Sequence, residues 1–64
     1  MGYYEIKKSA TAATQKYYWV LKAGNHEVIA TSEMYSSKQA AKSGISSVQN
    51  NGPTTDVRDN TGEH

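Results

Sequence analysis

The sequence contains no cysteine, although the chain is only 64 residues long. A domain near this size buries only about 60% of the surface that its unfolded chain exposes, so it usually needs some additional stabilisation. Disulfides and cysteine-rich zinc sites are both excluded. Hydrophobic residues make up 36% of the chain, which is below the usual level of about 45–50%. We therefore expect a thin core that association with another chain supplements.

Charge is unevenly distributed, although the formal net charge is only +1. Residues 1–22 carry four lysines and one glutamate, residues 23–52 are balanced, and residues 53–64 carry one arginine and three acidic residues. This polarity fits weak attraction to a polyanion, or pairing between the basic and acidic ends within or between chains. Solvated lysines on the outer face of a strand are the simpler explanation, and the one we favour.

Three segments have the residue patterns of β-strands. Apolar and charged residues alternate in Tyr3–Ser9, as in a half-buried strand. Lys16–Lys22 is rich in aromatic and branched side chains, which suit a pleated surface. Residues 10–15 read as a loop, and Glu27–Thr31 returns as a third strand. Short connections between the three segments predict an antiparallel meander.

The second strand presents a different set of side chains on each face. Tyr17, Trp19 and Leu21 share one face, while Tyr18 and Val20 share the other. The turn that follows spans residues 23–26. Gly24 and Asn25 both tolerate positive φ, so we expect a tight hairpin turn there.

One helix is predicted after the third strand. Ser36 or Ser37 can cap its start by accepting from a free N–H group of the first turn. A single apolar stripe then follows at helical spacing, formed by Ala40, Ala41, Gly44, Ile45 and Val48. Gly44 costs roughly 1 kcal/mol relative to alanine in a helix interior. Its place in the stripe indicates close packing against the sheet, with Trp19 or a tyrosine as the neighbour.

The helix is expected to stop at Gly52, which can adopt the left-handed conformation, and Pro53 cannot continue it. The segment after it is extended in character but polar, with Val57 as its one apolar residue. Such a strand needs a neighbour to pair with. We therefore predict an α+β fold in the order β-β-β-α-β, with one domain over residues 1–60 and a frayed end over residues 61–64.

Two segments resemble the signatures of the YegP-like family, a bacterial domain of unknown function. The first runs from Tyr18 to Glu33 and reads YWVLKAGN followed by EVIATSE. The second runs from Tyr35 to Val48 and reads YSSKQAAKSGISSV. The resemblance covers about Tyr3 to Val57. One departure is His26, where the family usually has glycine after asparagine.

The resemblance implies an architecture and no established activity. In this fold two units share a single sheet by exchanging their last strands, and many members carry two units in tandem. A chain with one unit would then be a homodimer, with itself as partner. The exchanged strand would comprise Thr54, Thr55, Asp56, Val57, Arg58 and Asp59.

No motif for catalysis, metal binding or a cofactor is apparent. His26 beside Glu27 is the one candidate acid–base pair, but adjacent strand residues point to opposite faces. We expect a non-enzymatic bacterial protein that acts by association, with no cofactor and no metal. No stretch long and apolar enough to span a membrane is present. No signal peptide is visible either, so we expect a cytoplasmic location.

The alternative function is weak nucleic-acid binding. Aromatic side chains on a sheet can stack bases, and nearby lysines can contact phosphates. Against this, nucleic-acid-binding domains are usually markedly basic. An interaction module that accepts a strand at an exposed sheet edge, with an unidentified protein as partner, is a third interpretation. The predicted interaction surface lies on the face away from the helix and comprises Lys7, Lys16, Tyr18, Val20 and Lys22.

Overall fold

The computed structural model describes residues 1–11 and 14–63, which form three strands and one helix. In chain order these are β1 (Tyr3–Lys8), β2 (Tyr17–Lys22), β3 (Val28–Thr31) and α1 (Lys38–Asn51). The strands form one antiparallel sheet in the order β1-β2-β3. The predicted α+β class and the meander are therefore confirmed. The predicted loop at 10–15 falls partly outside the described residues.

The strand register separates the side chains of the sheet into two faces. Ile6 lies opposite Trp19, and Tyr4 lies opposite Leu21, so these residues share the face that α1 covers. The other face, here called the open face, carries the residues of the alternate pairs. By register it comprises Tyr3, Glu5, Lys7, Tyr18, Val20, Lys22, Val28 and Thr31. The predicted division of the β2 side chains between two faces is confirmed.

The core is small and centres on β2 and α1. Trp19, Val20 and Ala41 are buried, with 6%, 5% and 0% of their surface exposed. The ring of Tyr4 meets the indole of Trp19 edge-on, with 5.4 Å between the ring centres. Aromatic pairs favour this arrangement because the positive ring edge faces the negative ring face.

The helix begins and orients itself as the sequence predicts. Ser37 is the N-cap, and its Oγ accepts a hydrogen bond of 3.0 Å from the backbone N–H of Ala40. The predicted apolar stripe contains every α1 residue that is buried or half-buried, and the other α1 residues are exposed. The helix stops at Gly52 as predicted, but the conformation of Gly52 differs from the prediction. Gly52 is right-handed, with φ of −62°, so glycine is not needed for a left-handed stop.

Gly44 lies where α1 approaches the sheet most closely. A Cβ atom added at Gly44 would lie 2.8 Å from Cζ of Tyr35 and 3.1 Å from Nε1 of Trp19. Tyr35 is fixed to β2 by two backbone hydrogen bonds with Tyr17, of 3.1 and 2.6 Å. The predicted close contact of Gly44 with Trp19 and a tyrosine is therefore confirmed. The tyrosine is Tyr35, which no sequence pattern distinguishes from the other tyrosines.

The turn between β2 and β3 places its left-handed residue at an unexpected position. Positive φ was expected at Gly24 or Asn25, whereas His26 adopts it, with φ of 71°. His26 N–H donates to the carbonyl of Ala23 at 2.9 Å, which closes the turn. A left-handed conformation costs a non-glycine residue about 1–2 kcal/mol. His26 therefore has a backbone cost that glycine would avoid at this position.

The predicted fourth strand is not formed in the single chain. Residues 53–63 are all exposed, and Thr54–Asn60 has no regular secondary structure. Local hydrogen bonds replace a strand ladder here, such as those from Arg58 to Asp56. The physical reason is that Val57 is the one apolar residue of the segment and remains 88% exposed. Burial therefore supplies nothing to hold the segment against its own sheet.

Candidate interaction surfaces

The open face brings together all five residues predicted as an interaction surface. Lys7 lies directly opposite Tyr18, and Glu5 lies opposite Val20. Lys16 precedes β2, but its carbonyl accepts a hydrogen bond of 2.6 Å from the N–H of Ser9. This bond continues the antiparallel ladder by one step. Alternation then places Lys16 on the same face as Tyr18.

Val20 differs from the other four residues of the predicted surface. It lies at the centre of the open face, yet only 5% of its surface is exposed. Its neighbours across the two flanking strands are Glu5 and Thr31. Val20 therefore belongs to the core of the single chain, and a partner on this face would meet Tyr18 and the lysines instead.

An ion pair crosses one end of the open face. Nζ of Lys22 lies 2.7 Å from Oε1 of Glu5. Interaction with Lys22 holds the pKa of the Glu5 carboxyl below its usual value, and the same interaction raises the pKa of Lys22. Lys22 is therefore already engaged. Among the described residues, Lys7 and Lys16 form no ion pair, so they are the free cations of this face.

A tyrosine–histidine pair closes the same end of the face. The Tyr3 hydroxyl and Nδ1 of His26 are 2.6 Å apart, and the two rings meet edge-on with 5.8 Å between their centres. His26 thus contacts Tyr3 rather than Glu27, and the suggested His26–Glu27 acid–base pair is not assembled. The N–H of Glu27 is instead held by the side-chain oxygen of Asn25 at 3.2 Å.

The outer edge of β3 is a second candidate surface. All four residues of β3 are exposed, and Val28 and Ile29 retain 55% and 63% of their surface. The helix packs against β1 and β2 and makes no contact with β3. Beyond β3 the ladder with β2 continues through Ser32, whose Oγ accepts from the N–H of Trp19 at 2.9 Å. The edge of β3 that faces β2 is hydrogen-bonded, whereas the outer edge of β3 pairs with no strand within the described chain.

The C-terminal segment is a third exposed feature and extends away from the sheet. The radius of gyration is 14.0 Å, and the longest dimension is 42 Å. A compact chain of 64 residues would have a radius of gyration of about 10.7 Å. Near its end, Thr61 donates two hydrogen bonds to Asp59 and lowers the pKa of that carboxyl.

Across residues 1–11 and 14–63 the surface has no pocket and no cluster of three or more side chains that could hold a metal ion. No described helix has the length and apolar character needed to cross a bilayer. The candidate surfaces are therefore flat: a sheet face, a strand edge and an extended segment.

Comparison with known proteins gives a consistent family. Residues 12–59 match the model of the domain of unknown function DUF1508. The chain is 53% identical over 53 residues to the UPF0339 protein YegP of Yersinia pestis, covering 83% of this chain and 45% of the relative. It is 47% identical over 57 residues to the UPF0339 protein YegP of Escherichia coli strain K12, covering 89% of this chain and 52% of the relative.

A solved structure has the same fold. The NMR solution structure of a protein from Haloferax volcanii matches with a TM-score of 0.75 and 39% sequence identity, covering 91% of this chain and 93% of that one. The chain thus spans about half the length of the curated YegP relatives and nearly all of the Haloferax protein. The family model, the sequence relatives and the fold agree, and the chain belongs to the YegP-like DUF1508 family of proteins of unknown function.

Proposed function

We propose that the chain functions by self-association as a non-enzymatic interaction module, in which two copies exchange their C-terminal segments. Each copy donates Thr54–Asn60 as a strand to the outer edge of β3 in its partner. One observation carries the proposal. The same fold leaves a strand edge without a neighbour and an extended segment without a sheet.

The β3 edge is the better acceptor of the two outer edges of the sheet. β3 reads Val-Ile-Ala-Thr and carries no charge, whereas β1 carries Glu5, Lys7 and Lys8. Charged side chains on an edge strand oppose the addition of another strand, and an exposed uncharged edge favours it. The helix packs on β1 and β2 and leaves β3 uncovered. A strand added at β3 would therefore extend the part of the sheet on which no helix packs.

The C-terminal segment has the properties of a donor. It follows Gly52-Pro53, a short connection directly after α1, and short hinges favour exchange between chains over folding back. Backbone hydrogen bonds to β3 and burial of Val57 would contribute most of the association. Ion pairs with Asp56 or Asp59 would add little, because exposed pairs are worth about 0–1 kcal/mol each.

The lengths of the relatives are compatible with this assembly. Two copies of a chain that spans about half of each YegP relative would together bring as much chain as one relative. The small core gives a physical motive as well, because only three hydrophobic residues are buried among those described. Association is one of the few ways in which so small a domain gains stability without disulfides or metals.

Sedimentation equilibrium over the micromolar range tests the proposal. We expect a mass twice the 7.0 kDa of the chain at high micromolar concentration. Truncation after Pro53 should return the mass to that of one chain and lower the melting temperature. A single-chain mass at every concentration, or a truncated chain with unchanged mass ratio and stability, would overturn it.

Two point variants separate the interface from general effects of charge. Val57→Lys and Ile29→Lys change donor and acceptor residues that are exposed in the single chain, so each should weaken association and leave the fold of the chain intact. Ser46→Lys adds the same charge on the exposed side of α1 and should leave the mass unchanged. If Ser46→Lys dissociates the protein as strongly as Val57→Lys, the exchanged strand is not the interface.

A further inference from the structure

We propose that the open face of the sheet binds single-stranded nucleic acid. The contact residues are the two tyrosines of the face, Tyr3 and Tyr18, together with its two free lysines, Lys7 and Lys16. This inference goes beyond self-association and does not depend on it, because every residue involved belongs to one chain. It concerns the sheet face, whereas the exchanged strand concerns the sheet edge.

The charge on the open face matches a polyanion. Glu5 is the one acidic residue that the strand register places there, and Lys22 neutralises it at 2.7 Å. Lys7 and Lys16 remain without an ion pair among the described residues. The face is therefore positive although the whole chain carries only +1. The other acidic residues lie in the connection before β3, in the connection between β3 and α1, and in the C-terminal segment.

The lysines flank an aromatic side chain. Lys7 is the cross-strand neighbour of Tyr18, and Lys16 lies two residues before Tyr18 on the same face. Both tyrosines of the face are half-buried, so each keeps some surface for contact. A base can stack on an aromatic ring while nearby cations hold its phosphates, and such stacking is worth about 1–3 kcal/mol per base.

Tyr3 provides a second position for stacking. Tyr3 lies opposite Lys22, which is four residues beyond Tyr18 along β2. At 3.3 Å per residue, the positions of Tyr3 and Tyr18 are therefore about 13 Å apart along the strand. That distance suits two bases that are not neighbours in a stretched strand. The hydrogen bond and edge contact with His26 hold the ring of Tyr3 in place. A non-glycine residue keeps a left-handed conformation only where its surroundings fix it. His26 is such a residue, and its side chain orients the ring of Tyr3 on the open face.

The number of free lysines sets the expected strength and salt dependence. For single strands the affinity falls with salt with a slope of about −0.7 per phosphate neutralised. Two lysines give a slope of about −1.4, or a loss of about sevenfold in affinity between 50 and 200 mM salt. With so few contacts, we expect a dissociation constant weaker than about 1 μM at physiological salt, within the range of non-specific binding.

Fluorescence anisotropy of a labelled oligo-uridine measures this directly. The parent protein should bind with the stated salt slope, and Lys7→Gln/Lys16→Gln should reduce the affinity at least tenfold at low salt. The matched control is Lys8→Gln/Lys42→Gln, which removes the same charge from the helix-covered face and from the exposed side of α1. This control should lose less than threefold.

Tyr18 is tested in the same assay with two variants. Tyr18→Phe keeps a ring and should retain the affinity, whereas Tyr18→Val keeps the strand preference without a ring and should weaken binding. Equal losses in the two lysine variants, no binding at low salt, or displacement by poly-glutamate as efficient as by unlabelled oligo-uridine would overturn the proposal. Sedimentation of each variant separates this result from the oligomeric state, because loss of oligonucleotide binding with unchanged mass concerns the open face alone.

Discussion

Gly44→Ala is the substitution for which the structure and helix propensity predict opposite effects. In an exposed helix interior, alanine is more favourable than glycine by about 1 kcal/mol. At position 44, however, the new Cβ would lie 2.8 Å from Cζ of Tyr35 and 3.1 Å from Nε1 of Trp19. The first distance is shorter than real Cβ contacts, so one of the side chains must move.

Tyr35 has little freedom to move away. Its backbone is tied to Tyr17 by two hydrogen bonds of 3.1 and 2.6 Å, and Trp19 behind it is only 6% exposed. Overpacking a fixed contact typically costs about 1–3 kcal/mol. When the gain in helix propensity of about 1 kcal/mol is subtracted from this cost, Gly44→Ala should lower the free energy of unfolding by about 1 kcal/mol. For a domain of this size that corresponds to a fall of about 4–8 °C in melting temperature.

Thermal unfolding followed by circular dichroism tests this, with two further variants as controls. Ser43→Ala, on the exposed side of α1, should raise the melting temperature slightly through propensity alone. Tyr35→Phe removes the hydroxyl next to Gly44, so the cost of Gly44→Ala should shrink in that background. A Gly44→Ala protein that is more stable than the parent would refute the close approach of α1 to the sheet.

Three further predictions follow from the core, the turn and the ion pair. Trp19→Ala should cost about 3–5 kcal/mol, a large share of a total of about 5–15 kcal/mol, and thermal melts followed by far-ultraviolet circular dichroism should show the loss; a melting temperature within a few degrees of the parent would place Trp19 at the surface. His26→Asn should be tolerated because asparagine accepts positive φ, whereas His26→Val should lower the free energy of unfolding by about 2 kcal/mol in denaturant titration; equal stability of the two variants would contradict the left-handed turn. Glu5→Gln should lower the melting temperature at pH 7. Because the pKa of Glu5 is lowered, the ion pair stabilises the fold above pH 4.5, and this stabilisation is lost as the pH falls through the folded-state pKa of Glu5. Because the pKa of Lys22 is raised, the stabilisation extends up to pH 10.5 and is lost as the pH rises through the folded-state pKa of Lys22. The difference between parent and Glu5→Gln should therefore vanish in acid, and a difference that persists at pH 2 would show that Glu5 acts through packing.

Much of the fold could be predicted from the sequence because local and long-range signals agree there. The period-two pattern of β1 and β2 fixed their faces, and the apolar stripe of α1 matches the buried side of the helix at every position. The sequence predicts the N-cap at Ser36 or Ser37, and the structure has it at Ser37. These are features in which side-chain periodicity alone determines the orientation of an element.

The remaining features depend on three-dimensional contacts that a pattern does not contain. Tyr35 lies in a short irregular segment, so no periodicity connects it to Tyr17 or Gly44. Val20 reads as an exposed residue of the open face, but its central position between Glu5 and Thr31 buries it. Positive φ is predicted at Gly24 or Asn25 because their residue types tolerate it, but the hydrogen bonding of the turn places it at His26. The surface residues Lys7, Lys16, Tyr18 and Lys22 stay a prediction for binding, although the register places them on one face.

The uncharged edge of β3 also bears on how the protein behaves in solution. Glu27 precedes β3, and Glu33 follows it at an equal distance from Ala30. If two β3 edges met antiparallel about Ala30, each Glu27 would face a Glu33, and like charges directly opposite destabilise such a pair. The two glutamates thus oppose the pairing of two β3 edges, while the edge itself stays open to a different strand. Glu27→Gln/Glu33→Gln would remove this repulsion, so pairing between two β3 edges should first be sought in that variant.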